Sequence, residues 1–204
     1  ECRHPFSLIT KSALVLRDLD LIAPMAVEGR ASVAVSVTTL DNRLKNQLEP
    51  RASGGRERLK TVRELARAGV PVTVLVAPLI PFINDQELED IVEQVAAAGA
   101  RSAGYVALRL PHEVGPLWEE WLQRHYPERA ERVMSALKEM HGGASYDSRW
   151  HHRQRGQGPM AELLARRFQV ACRRRGLAPR ESFTLDSSAF RPPGLAGQMH
   201  LWEA

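Results

Sequence analysis

Four stretches of the chain carry the apolar pattern of β-strands. Phe6–Thr10 is a short apolar run that ends in polar Lys11 and Ser12. Arg30–Thr39 alternates, with Val33, Val35 and Val37 on one face and Ser36 and Thr38 on the other. Val70–Ala77 is an unbroken run rich in β-branched residues, the pattern of a strand covered on both faces. Ser102–Leu110 is the fourth. Their starts, near 6, 32, 70 and 102, stand about one βαβ unit apart.

The segments between them switch to the helical period. Arg56–Ala68 lines up Leu59, Val62, Leu65 and Ala66 on one stripe and stops at Gly69. Asn84 and Glu87 have the spacing of a capping box, ahead of a stripe of Leu88, Ile91, Val92 and Val95 that ends at Gly99. Ser12–Leu21 predicts a further helix. After Pro116 the strand signal fades, and Trp118–Tyr126, Glu128–His141 and Pro159–Arg175 read as helices, followed by loop and tail. Strand–helix alternation with right-handed crossovers predicts an α/β fold with a parallel sheet, open or rolled into part of a barrel. The expected organisation is a β/α portion over 1–115 and a mainly helical extension over 116–204.

Parallel α/β sheets collect ligands at the carboxyl ends of their strands, and those ends are polar here. They offer Lys11, then Ser36 and Thr38, then Glu49 and Arg51 in the following loop, Asn84 after the third strand, and Arg109 on the fourth. By strand parity Arg109 shares a face with Tyr105 and Ala107. Cations, hydroxyls and an acid converging there suit a zwitterionic or phosphorylated ligand. The plainer reading makes Ser36 and Thr38 barrel-lining residues and Lys11 a solvent-exposed cation.

Charge changes the picture towards the end. Nine arginines and two acids lie between His141 and Arg180, in a chain whose net charge is only +4. Arg153, Arg155, Arg173, Arg174 and Arg175 are therefore candidate contacts to an anionic partner such as a phosphate backbone, with a solvated helix face as the alternative. Neither a dinucleotide-binding G-x-G-x-x-G after a strand nor a P-loop occurs. His141, His151 and His152 lack the spacing of a metal site, so none is expected. Two cysteines exclude a disulfide framework, and Cys172 reads as a packing residue. No apolar run is long enough to span a bilayer and no secretory signal is visible, which points to the cytoplasm. The chain starts at Glu1 rather than Met and is expected to be a piece of something longer.

The order ITKSALVLRDLDLI (9–22), SVTTLDNRLKNQLEPRAS (36–53), RLKTVRELARAGVPVTVLVAPLIPFIND (58–85) and YVALRLPHEV (105–114) resembles the later part of radical S-adenosylmethionine enzymes. More narrowly, it is similar to the spore photoproduct lyase-like, DNA-repair photolyase-like bacterial group. The segment 148–177 resembles the C-terminal part of that group. The resemblance implies the last four strands of a partial (β/α) barrel. It also implies a [4Fe–4S] cluster held upstream by a C-x-x-x-C-x-x-C loop, and S-adenosylmethionine cleaved to a 5′-deoxyadenosyl radical. Here Cys2 has no partner at i+4 or i+7, so this chain alone is not expected to build the cluster. Lys11, Ser36 and Thr38 would contact the cofactor's carboxylate or ribose, with Arg51 and Asn84 lining or supporting the cleft. Arg109 would meet substrate or cofactor. Phe82 stands where the family commonly has glycine. Tyr105 is either a hydrogen-atom donor or a packed aromatic, the second being favoured.

The implied function is radical chemistry on nucleic acid, served by an external electron donor. The alternatives are a protein or small-molecule substrate, or a truncated non-catalytic binding module. The tail carries Gln198, Met199, Leu201 and Trp202 after a Pro/Gly-rich stretch, similar to peptides that bacterial repair proteins insert into the sliding clamp.

Overall fold

The computed structural model describes residues 2–144, 152–179 and 184–192. Five parallel strands lie in chain order: β1 (Phe6–Thr10), β2 (Ala31–Ser36), β3 (Val72–Leu79), β4 (Ser102–Ala107) and β5 (Ala178–Pro179). The connections run through α1 (Leu19–Val27), α2 (Asn42–Leu48) and α3 (Gly55–Arg67), α4 (Leu88–Ala97), and α5 (Val114–His125), α6 (Pro127–Met140), α7 (His152–Arg155) and α8 (Gly158–Arg174). This is the α/β architecture of a partial (β/α) barrel. The register pairs Val33 with Val72, Val35 with Val74, and Val74 with Ala103, so each strand presents like residues to one side.

The valines at alternate positions of β2 and β3 pack in one buried cluster with Leu59, Val62 and Leu65 of α3 and Leu88, Ile91, Val92 and Val95 of α4. Each such side chain contributes about 1.5–3 kcal/mol. The opposite face of the sheet carries pairs of small polar residues, with Ser7 bonded to Ser32 at 3.0 Å and Thr73 to Ser102 at 2.7 Å. Leu164, Phe168, Ala171 and Cys172 of α8 join the same core as the β2 and β3 valines, so α8 is the outer helix of a β4–β5 crossover. Arg167 ties α8 to α4 through two bonds to the Glu89 carboxylate, at 2.8 and 2.7 Å. The arginine hydrogen bond holds that carboxyl below its usual range against the opposing effect of burial.

A second core forms beyond the carboxyl end of β3, where Leu44, Ile80 and Ile83 meet Trp118 and Leu122 of α5 and Val133 and Leu137 of α6. Trp121 donates to the Gln47 carbonyl at 3.1 Å and Tyr126 to the Gln47 side chain at 3.1 Å, which fixes α2 over the strand ends. Phe82 adopts φ 62°, the left-handed region that explains a glycine preference there. Its ring is covered by the Arg132 guanidinium at 3.9 Å. Among the described residues no helix is long and apolar enough to cross a membrane.

The expected capping box does not form. Asn84 makes no cap bond, and a 3-10 turn (Asp85–Glu87) precedes α4. Both side chains bond instead to distant segments, as described below. α2 and the two-residue β5 were absent from the periodicity reading, because seven- and two-residue elements carry too little pattern.

Candidate functional site

Lys11 leaves the end of β1 and lines a cleft of about 400 Å³ with Ala77 and Pro78 of β3, Val106 of β4, and Leu108 and Arg109 just beyond it. Arg109 lines this cleft together with Ala107, with which strand parity grouped it. β4 ends at Ala107, and Leu108 bonds to the Leu79 carbonyl at 3.0 Å. Tyr105 instead packs on Phe168 of α8, with ring centroids 5.1 Å apart, as a packed aromatic would.

Glu49, just past α2, organises the cleft wall. One carboxylate oxygen takes the Lys11 ammonium and the other the Arg58 guanidinium. Arg58 is 2% exposed and spends its remaining donors on the Ser53 carbonyl at 2.7 Å, the Ser36 carbonyl at 2.9 Å and the Thr38 hydroxyl at 3.3 Å. α3 comes this close because Gly55 lets it: a Cβ there would lie 2.8 Å from the Thr39 carbonyl oxygen. The loop after Glu49 is stitched to the Lys11 segment, with Ser53 N–H on the Lys11 carbonyl at 3.3 Å and Ala13 N–H on the Ser53 hydroxyl at 3.0 Å.

Burial is the largest influence on the Glu49 carboxyl and pushes its pKa up. The hydrogen bonds and charges of Lys11 and Arg58 together outweigh it, and the group ends below its ordinary range. Glu49 neutralises one of the cations Lys11, Arg58 and Arg109, so the cleft stays positive. An ammonium has three donors; Lys11, half-buried, gives one to Glu49 and keeps others for a ligand carboxylate.

Of the remaining predicted residues, Thr38 is 1% exposed; its hydroxyl lies 2.8 Å from the Ala77 carbonyl and 3.0 Å from Glu49. It shapes the wall from within. Ser36 is buried, 3.5 Å from the same carbonyl. Asn84, 0% exposed, accepts from Ile80 N–H at 2.7 Å and donates to the Thr38 and Pro78 carbonyls at 2.7 and 2.9 Å, clamping the ends of β2 and β3. Glu87 accepts from the Thr39 hydroxyl at 2.6 Å and Leu40 N–H at 2.7 Å. Arg51 is exposed and is not among the residues lining the cleft.

The arginines of the basic segment separate. Arg155 and Arg173 border one cavity on the outer side of the sheet, Arg174 is exposed, and Arg175 pairs with Glu93 at 2.6 Å. The Arg153 side chain lies outside the described residues, as do His151, Gln198, Met199, Leu201 and Trp202. His141 is buried, with Nδ1 2.7 Å from the Leu137 carbonyl oxygen. Arg58 is the residue that sequence reasoning missed: the spacing of LEPRA, which holds Glu49, shows nothing of the partner nine positions on.

Residues 2–95 match the Radical SAM superfamily model. It is 35% identical to an uncharacterized protein of Mycobacterium tuberculosis (strain H37Rv) over 130 residues, 63% of this chain and 38% of the relative. It is 40% identical over 72 residues to the sporulation killing factor maturation protein SkfB of Bacillus subtilis, covering 35% of this chain and 17% of SkfB. A spore photoproduct lyase variant solved with bound AdoMet and dinucleoside spore photoproduct shares the fold, with TM-score 0.59 and 17% identity over 86% of this chain and 50% of that one. The chain thus spans half or less of the length of these proteins.

The Radical SAM superfamily that residues 2–95 match uses S-adenosylmethionine and an iron–sulfur cluster, and the residues present here fit the two unequally. A positive cleft with a lysine and an arginine at its mouth suits the cofactor's carboxylate. The cluster needs several thiolates, whereas the sequence holds two cysteines. Cys172 is buried in α8, where burial pushes its thiol up to about 11. Cluster ligation does not fit this chain.

Proposed function

We propose that this chain forms one wall of an S-adenosylmethionine site in a radical enzyme, with the cluster ligands supplied from outside it. Lys11 and Arg109 bind the cofactor carboxylate, and buried Ser36 supports the wall beside the Ala77 carbonyl. Thr38, Glu49, Arg58 and Asn84 hold these groups in place. The cofactor, when bound at its cluster, supplies a 5′-deoxyadenosyl radical; the protein's part is to orient it and keep water from it. The observation that carries the reading is Lys11, held by Glu49, sharing the positive cleft with Arg109. Equilibrium dialysis with labelled S-adenosylmethionine tests it: Lys11→Met is expected to weaken retention at least tenfold and Arg51→Gln to leave it unchanged. Equal retention in parent and Lys11 variant would overturn the assignment.

For substrate, we propose nucleic acid, supported by the arginine-rich segment and the fold shared with a lyase solved on a dinucleoside photoproduct. An external electron donor and a sliding clamp complete that reading for the whole protein. Neutralising Arg173 and Arg174 together should lower the log–log salt slope of DNA binding by about 2, one per lost contact. An unchanged slope would favour the second reading, a peptide substrate, which the similarity to the SkfB maturation protein supports.

A further inference from the structure

A cavity of about 410 Å³, in the size range of small-molecule sites, lies on the helical side of the sheet, where β4 faces α7 and α8. It is separate from the Lys11 cleft, with which it shares no lining residue. Phe168 and Tyr105 form its apolar wall, Gln169 and Cys172 contribute from α8, and Arg155 and Arg173 border it. No acid lines it. The Tyr105 hydroxyl is buried and has no hydrogen-bond partner among the described residues. A buried hydroxyl without a partner is costly, and because Tyr105 lines this cavity the group marks the place of an acceptor from outside.

From this arrangement we propose a binding site for a small organic anion with a ring-sized apolar body: the body rests on Phe168 and Tyr105, the anion meets Arg155 and Arg173, and Tyr105 donates to it. Guanidinium groups suit phosphate and carboxylate alike. The site is for binding rather than covalent chemistry, because the Cys172 thiol, raised to about 11 by burial, stays protonated at neutral pH. Nothing in this assignment depends on the radical chemistry.

The test is fluorescence titration of the 204-residue chain with 1-naphthyl phosphate, 1-naphthoate, 1-naphthol and inorganic phosphate. Saturable binding is expected for one or both aromatic anions, the tighter naming the preferred head group. 1-Naphthol, without charge, and phosphate, without a ring, should bind at least tenfold more weakly. Arg155→Gln with Arg173→Gln should weaken the anion at least tenfold and Tyr105→Phe about threefold. Lys11→Met should have no effect. The proposal is overturned if 1-naphthol binds as well as the anions, if nothing saturates, or if Lys11→Met abolishes binding while the arginine variants retain it. All these substitutions are at exposed or near-isosteric positions, so folding, checked by circular dichroism, is preserved.

Discussion

Replacing Glu49 with alanine is expected to destabilise the fold by about 3–5 kcal/mol, the cost of leaving a buried charge unpaired. At roughly 2–4 °C per kcal/mol for a chain of this size, the midpoint of thermal unfolding should fall by about 10 °C. Arg58 is the reason: it is 2% exposed, and Glu49 is the carboxylate it pairs with. Glu49→Ala combined with Arg58→Met should therefore lose less than the sum of the two single changes. The effect carries a pH signature. Because the folded carboxyl lies below its ordinary value of 4.5, its stabilisation is complete above that value and is lost as pH falls through the lower folded one. The gap between parent and Glu49→Ala should be flat from neutrality to about pH 4.5 and narrow below it. Urea unfolding at stepped pH measures this, and a gap independent of pH would show that the ion pairs are not what Glu49 contributes.

Asn84→Asp changes one atom and should cost a similar amount, about 3–5 kcal/mol, with the opposite logic. The amide nitrogen of Asn84 donates to two backbone carbonyls, of Thr38 and Pro78, in a position with 0% exposure. A carboxylate oxygen there would face both carbonyls with no proton to offer, so the folded state should raise its pKa above the ordinary aspartate value of about 3.9. The penalty is then smallest below that pH, where the protonated group still donates one bond, grows as pH rises, and levels off above the raised value. Asn84→Ala loses the same bonds without the charge and should show no such pH dependence relative to the parent. If the two variants have parallel pH profiles, Asn84 does not face the carbonyls as described.

The amino-acid sequence by itself determined the layers of this protein. β2 and β3 are legible because Val33, Val35, Val72, Val74 and Val76 cannot be hidden except between a sheet and helices. α3 and α4 are legible because their leucine, isoleucine and valine stripes repeat with the turn of the helix. Alternation and helical period are local properties, written within a dozen residues. The polar strand ends that form the cleft were legible for the same reason, once the strands were placed.

Only the tertiary structure decided which polar group meets which. Asn84 and Glu87 have the spacing of a local cap, yet Asn84 reaches the Thr38 carbonyl 46 residues away and Glu87 the Thr39 hydroxyl 48 residues away. These buried backbone groups need partners that water cannot supply, and the folded sheet brings Asn84 and Glu87 to them. Arg58 reads as an ordinary helix-surface cation until α3 packs at Gly55 and turns it onto Glu49. Hydrophobic faces are chosen by short-range pattern, whereas the pairing of buried charges and amides depends on which distant segments the finished core holds side by side.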